Sequence, residues 1–148
     1  MLLLLDCTGA DRSTESGPAD SSPDTEPSIC GDAAVDTWEA GMSRAGENGV
    51  YTFTLVAVDP APPDKGDNVW TLHIDGDAPV EGATVTLTPF MPAHGHGTTP
   101  ADFSATDAGG GDYVSDPFDL FMGGVWETTV QATGDGYDSV VFTFCIEG

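Results

Sequence analysis

The sequence predicts an all-β protein: an immunoglobulin-like antiparallel β-sandwich preceded by a disordered N-terminal linker. Three observations lead there. From Val50 onward, apolar residues recur with a period of two. Turns rich in Gly, Pro and Asp interrupt that pattern at short intervals. The stretches between them are rich in Val, Thr and aromatics, which fit a pleated, half-buried surface.

The strands follow in order. Val50 to Val58 sets Tyr51, Phe53, Leu55 and Ala57 against mostly Thr and Val. Asn68 to Asp75 turns Trp70, Leu72 and Ile74 inward and His73 outward, so His73 reads as a surface histidine. Ala83 to Thr88 turns Ala83, Val85 and Leu87 inward. Tyr113 to Met122, Val125 to Ala132 and Ser139 to Ile146 repeat the alternation. The separating turns are Pro60 to Gly66, Gly76-Asp77, Gly109 to Gly111, Gly123-Gly124 and Gly134 to Gly136. Ahead of them, Asp32 to Arg44 is a short stretch with some helical character. The chain shows no internal repeat and no second domain.

The sandwich is expected over 29–148. Residues 8–28 carry almost no large apolar side chain and place Pro18, Pro23 and Pro27 among Ser, Thr, Asp and Glu. Such an acidic linker cannot bury enough surface to offset its chain entropy. Residues 1–7 read as a partial lipoprotein signal. Met1 to Leu5 falls well short of the roughly 20 apolar residues that span a bilayer. The run Leu3-Leu4-Leu5-Asp6-Cys7-Thr8-Gly9 looks like the end of a bacterial lipoprotein signal, in which cleavage before Cys7 frees it for lipidation. Asp6 departs from that pattern, which has a small residue there. A lipid on Cys7 implies a periplasmic or cell-surface domain that meets the membrane only through its anchor. Cys30 and Cys145 then remain as a pair. In the last strand Val140, Phe142, Phe144 and Ile146 share one face, so Cys145 points to the other and can staple the incoming segment. Such a bond implies an oxidising compartment.

Composition limits the function. The 148 residues include 25 Asp plus Glu against 3 Lys plus Arg, a net charge of −22. That field repels phosphate backbones and anionic headgroups, so nucleic-acid and polybasic membrane binding are excluded and cations are the natural partners. The apolar content of 39%, with 3 Trp, 3 Tyr and 7 Phe, supports a real core. Sparse basic residues also fit a salty habitat, so charge alone does not establish metal binding.

The concentrated chemistry is Met91-Pro92-Ala93-His94-Gly95-His96-Gly97. An extended backbone there projects His94 and His96 to one side. Met122 adds a second thioether at a strand end beside a Gly-Gly turn. Imidazole with thioether suits copper, the thioether favouring Cu(I), so the candidate ligands are Met91, His94, His96 and Met122. The plainer alternative packs Met91 in a turn and caps the core with Met122. Catalysis finds little support: no zinc-protease, nucleophile-elbow or phosphate-loop motif is present. Three histidines are also too few for a Cu/Zn superoxide dismutase. The Asp-Gly turns at Asp75 to Asp77, Asp107 to Asp112 and Asp135-Gly136 lack EF-hand spacing for calcium.

Five segments follow one another in an order that resembles the YtkA-like/FixH-like family of exported bacterial domains. They are Gly66 to Trp70, Ala78 to Val85, Met91-Pro92 with His94 to Gly97, Gly111 to Tyr113, and Leu120 to Trp126. The resemblance covers about 66–144. It implies an immunoglobulin-like sandwich, often lipid-anchored, linked to copper handling or to assembly of copper-containing oxidases. Met91, His94, His96 and Met122 fall at positions with ligand-like chemistry. Pro79, Gly82, Gly111, Gly124 and Trp126 fall at turn and core positions. Many relatives are richer in Met after Met-Pro, whereas His94 and His96 stand here, which leaves Cu(II) and Zn(II) beside Cu(I). The expected function is a non-enzymatic, lipid-anchored copper module with an oxidase subunit or transporter as partner. The alternative is a structural or interaction domain of the cell envelope without metal.

Overall fold

The computed structural model describes residues 28–148. The predicted signal over 1–7 with Cys7, and all of the 8–28 linker but Ser28, lie outside the described residues. Within them the alternating stretches become antiparallel strands: β1 (Met42–Ala45), β2 (Thr52–Asp59), β3 (Gly66–Asp75), β4 (Thr84–Met91), β5 (His96–Gly97), β6 (Phe103–Gly109), β7 (Asp112–Ser115), β8 (Phe118–Leu120), β9 (Gly124–Thr133) and β10 (Tyr137–Ile146). Their order is β1-β2-β3-β7-β6-β4-β9-β10, with β5 on β4 and β8 on β3. The sheet folds into a nearly closed sandwich. Its terminal strands meet through Arg44 of β1, which donates to the Val141 carbonyl of β10 and packs 5.1 Å over the Phe142 ring.

Inward-facing residues of both layers fill one core. Trp70 stands nearly perpendicular to Phe118, Phe142 and Phe144, with ring centroids 5.3, 6.3 and 5.7 Å away. These edge-to-face contacts suit aromatic quadrupoles. The buried indole N–H of Trp70 has no oxygen or nitrogen acceptor among the described residues.

Several details differ from the sequence reading. A bulge between Leu55 and Ala57 shifts the phase of β2, so Val58 rather than Ala57 faces the core. Tyr113 to Met122 divides into β7 and β8, and β1, β5 and β6 are additional strands. Asp32 to Arg44 contains no helix: residues 33–39 form no regular element, and Met42–Ala45 pairs with β2. There the Asp36 N–H donates to the Thr143 carbonyl at 2.7 Å, and the Thr143 N–H donates to the Asp36 carboxylate at 2.9 Å. A stretch this short gains little from helix formation alone, so these tertiary partners decide its conformation.

The Cys30–Cys145 disulfide is present, as expected, with Cα atoms 6.0 Å apart and a sequence separation of 115. Closing so long a loop is worth roughly 4–5 kcal/mol in the chain-entropy picture. The registers give the sandwich two distinct ends. Thr84, Thr133 and Tyr137 lie level at one; Phe90 with Glu127, and Gly124 with Ile146, mark the other.

Candidate metal centre

At the disulfide end, β4 stops at Met91 and the chain reverses through Pro92 to Gly95. The N–H groups of His94 and Gly95 both donate to the Met91 carbonyl, at 3.1 and 2.9 Å. Gly95 has φ +69°, a left-handed conformation that glycine adopts without a Cβ penalty. The chain then returns as β5 and pairs His96 with Met91. The two histidines therefore converge through a tight turn rather than along an extended strand. Their rings lie 5.6 Å apart, His94 exposed and His96 half-buried.

The β8–β9 turn meets this hairpin. Phe121 stacks on His96 at 5.9 Å and 16°, and packs edge-on against Trp126 at 5.6 Å. The Trp126 indole N–H donates to the Met122 carbonyl at 2.9 Å, fixing the half-buried Met122. Sequence reasoning missed Phe121. The available signal was its position between the inward Leu120 and Met122, which turns its ring outward toward the histidines. Met91 is fully buried. A Cβ on Gly124 (φ +136°) would stand 2.7 Å from its methyl carbon, so this glycine makes room for the thioether.

A hollow of about 480 Å³ opens here, lined by Ile29, Cys30, Ala93, His94, Met122 and Gly124 among others. None of its lining residues is a carboxylate, in a chain with 25 of them. Of the two rings, only His96 has a hydrogen-bond contact among the described residues, 3.3 Å from Nδ1 to the Gly97 carbonyl. No three His, Cys, Asp or Glu side chains among the described residues gather to hold a metal. Any set here would combine imidazole with thioether. Two nitrogens sharing a metal at about 2 Å each stand within about 4 Å of one another. Rings with centres 5.6 Å apart can meet that condition. The two rings thus meet the spacing that a shared ion requires, Met122 lines the same hollow as His94, and Met91 is buried in the core.

The opposite end contains a larger hollow, about 770 Å³, lined by Tyr51, Asp77, Val80, Glu81 and the Gly134–Gly136 turn. Tyr51 in its wall, and Asp138 and His73 at the same end, are engaged in the fold, whereas no partner is seen among the described residues for the Asp77, Glu81 and Asp135 carboxylates that also line it. The Tyr51 hydroxyl donates to the Gly136 carbonyl and accepts from the Gly136 N–H, at 3.1 and 3.0 Å. The buried Asp138 carboxylate accepts four backbone N–H bonds, from Asn48, Val50, Tyr51 and Ser139. Burial alone would raise its pKa; the four donors outweigh that and hold it below the usual carboxylate value. His73, half-buried on the outer face of β3, lies 2.7 Å from Asp112 and 3.1 Å from Asp75. The Asp112 hydrogen bond raises its pKa against the opposing effect of burial, and Asp75 adds to the rise.

An antiparallel β-sandwich with donors gathered on turns at one end defines the class of protein. The family comparison then names it: the YtkA-like family model matches residues 45–131, and the chain belongs to that family. The match begins in β1 and ends in β9, earlier at both limits than the sequence resemblance. Membership suggests an exported domain. No curated protein and no solved structure matches the chain. Among the described residues, no helix is long and apolar enough to cross a membrane.

Proposed function

We propose that the protein is an exported, lipid-anchored module that binds copper and carries, buffers or delivers it, without catalysing a reaction. His94, His96 and Met122 bind from the open side and Met91 from beneath, with Cys7 as the lipid attachment point at the periplasmic or outer surface. One observation carries the reading: His94 and Met122 line one carboxylate-free hollow, and the His96 ring stands 5.6 Å from that of His94. Thioether with imidazole favours Cu(I), while Cu(II) and Zn(II) remain candidate cargoes. An oxidase subunit or a transporter is the kind of envelope partner such a module would serve.

The complete burial of Met91 and the packing of His96 on Phe121 favour a second reading, a structural or interaction domain without metal. Titration of the protein with Cu(I), Cu(II) and Zn(II) against a competing chelator separates the two. The copper reading expects saturable one-to-one binding that disappears in the His94→Ala/His96→Ala variant. Equal, weak binding by both proteins would mean that the acidic surface merely collects cations.

A further inference from the structure

We infer that the Cys30–Cys145 bridge is a redox-controlled part of the same centre, and that reduction frees Cys30 to complete a Cu(I) site with His94 and Met122. The inference deepens the copper reading and rests on it. Cys30, His94 and Met122 line one hollow, while Cys145 is not among its lining residues. Both cysteines are half-buried, within reach of a reductant. While the bridge is closed, the Cys30 sulfur is bonded to Cys145 and is no thiolate. A thiolate, a thioether and an imidazole are a donor set matched to a soft monovalent ion.

The fold keeps Cys30 in place after the bridge opens. Six residues on, Asp36 remains tied to Thr143 by two hydrogen bonds and to Arg44 by an ion pair of 2.6 Å. Next to Cys30, Ile29 packs against the β8–β9 turn, its Cδ1 3.0 Å from where a Cβ on Gly123 would stand. The chemistry balances with a dithiol as reductant. The dithiol gives two electrons and two protons, the S–S bond becomes two thiols, and the reductant closes its own disulfide. The Cys30 thiol loses its proton as its bond to Cu(I) forms. A disulfide acceptor reverses the step and returns the metal to the weaker donor set.

The test compares two single-thiol proteins in a Cys7→Ser background, which removes the only other thiol. Cys145→Ser leaves Cys30 free, and Cys30→Ser leaves Cys145 free; both lose the same bridge, so their loss of stability is matched. Cu(I) affinity is read by competition with a chromogenic chelator. The expected result is at least tenfold tighter binding by Cys145→Ser than by the oxidised parent, with no gain in Cys30→Ser. The gain should vanish when His94→Ala is added. Equal gain in both variants, or gain independent of His94, would overturn the inference, because a thiol alone would then capture the ion.

The oxidised parent reads the copper proposal separately. Binding by the parent with nothing added by Cys145→Ser removes the inference and leaves that proposal standing. Binding by Cys145→Ser through Cys30 and His94, with none by the parent, supports the inference and confines copper binding to the reduced protein. No binding by any of them removes both. If the single-thiol proteins fail to fold, the parent is reduced with a phosphine and alkylated with and without Cu(I). Protection of Cys30 but not Cys145 supports the site, and equal protection or none overturns it.

Discussion

The two ends of the sandwich contain similar chemistry in different states of engagement. At the glycine-rich end Asp138, Tyr51 and His73 all have partners: four backbone N–H groups for the carboxylate, Gly136 for the phenol, and two aspartates for the imidazole. At the disulfide end, His94 and His96 stand on a hairpin whose two imidazoles make one hydrogen-bond contact among the described residues, 3.3 Å from His96 to the Gly97 carbonyl. The larger hollow belongs to the first end and the candidate centre to the second. Cavity size therefore says less about function than whether polar atoms are already engaged, since a group bonded within the fold must lose those bonds before it can bind anything else.

Substitutions at the two ends should separate stability from binding. The largest effect is expected for Asp138→Ala, which leaves buried N–H donors unpaired and should cost about 4 kcal/mol in chemical denaturation. Met91→Ala should follow, at about 3 kcal/mol, because it empties a fully buried site. Met122→Ala, half-buried, should cost under about 1 kcal/mol. A large cost for Met122 or a negligible one for Met91 would blur the distinction between core thioether and rim thioether.

The next effect depends on pH. The folded pKa of His73 lies above its usual 6.5, so its ion pairs stabilise the protein fully below that value. Their contribution fades as pH rises through the folded pKa. The melting-temperature gap between the wild type and His73→Gln should therefore be widest below pH 6.5 and close on the alkaline side. Asp36 and Asp138 behave oppositely: their pKa values lie below 3.8, and their contributions disappear as pH falls through those lower values. A gap that widens with rising pH would contradict the His73 assignment. The smallest effect is expected from His94→Ala with His96→Ala, under about 1 kcal/mol for the metal-free protein, most of it the His96–Phe121 stack.

Much of the fold was legible because a strand with one buried face alternates visibly. Trp70, Leu72 and Ile74 in β3, and Val140, Phe142, Phe144 and Ile146 in β10, face the core as their spacing predicts, with Cys145 turned away to meet Cys30. β6 was hidden because only Phe103 and Ala105 face inward and the rest is exposed. The extra residue of the β2 bulge leaves no mark in composition. At the site, the residue types were legible but their assembly was not. The proximity of His94 to His96 comes from a turn, and Phe121 and Cys30 arrive from segments far away in sequence. No local pattern records such long-range placement.

The central claim is that the unengaged donors at the disulfide end, rather than the acidic surface, receive the metal. Backbone amide NMR of the protein titrated with Cu(I), which is diamagnetic, tests it most directly. The account predicts shifts at one equivalent confined to residues 91–97, 120–126 and the segment around Cys30, with Asn48, Tyr51, Asp138 and His73 unmoved. Shifts spread across the acidic turns, or centred on the hollow beside Tyr51 and Asp135, would contradict it.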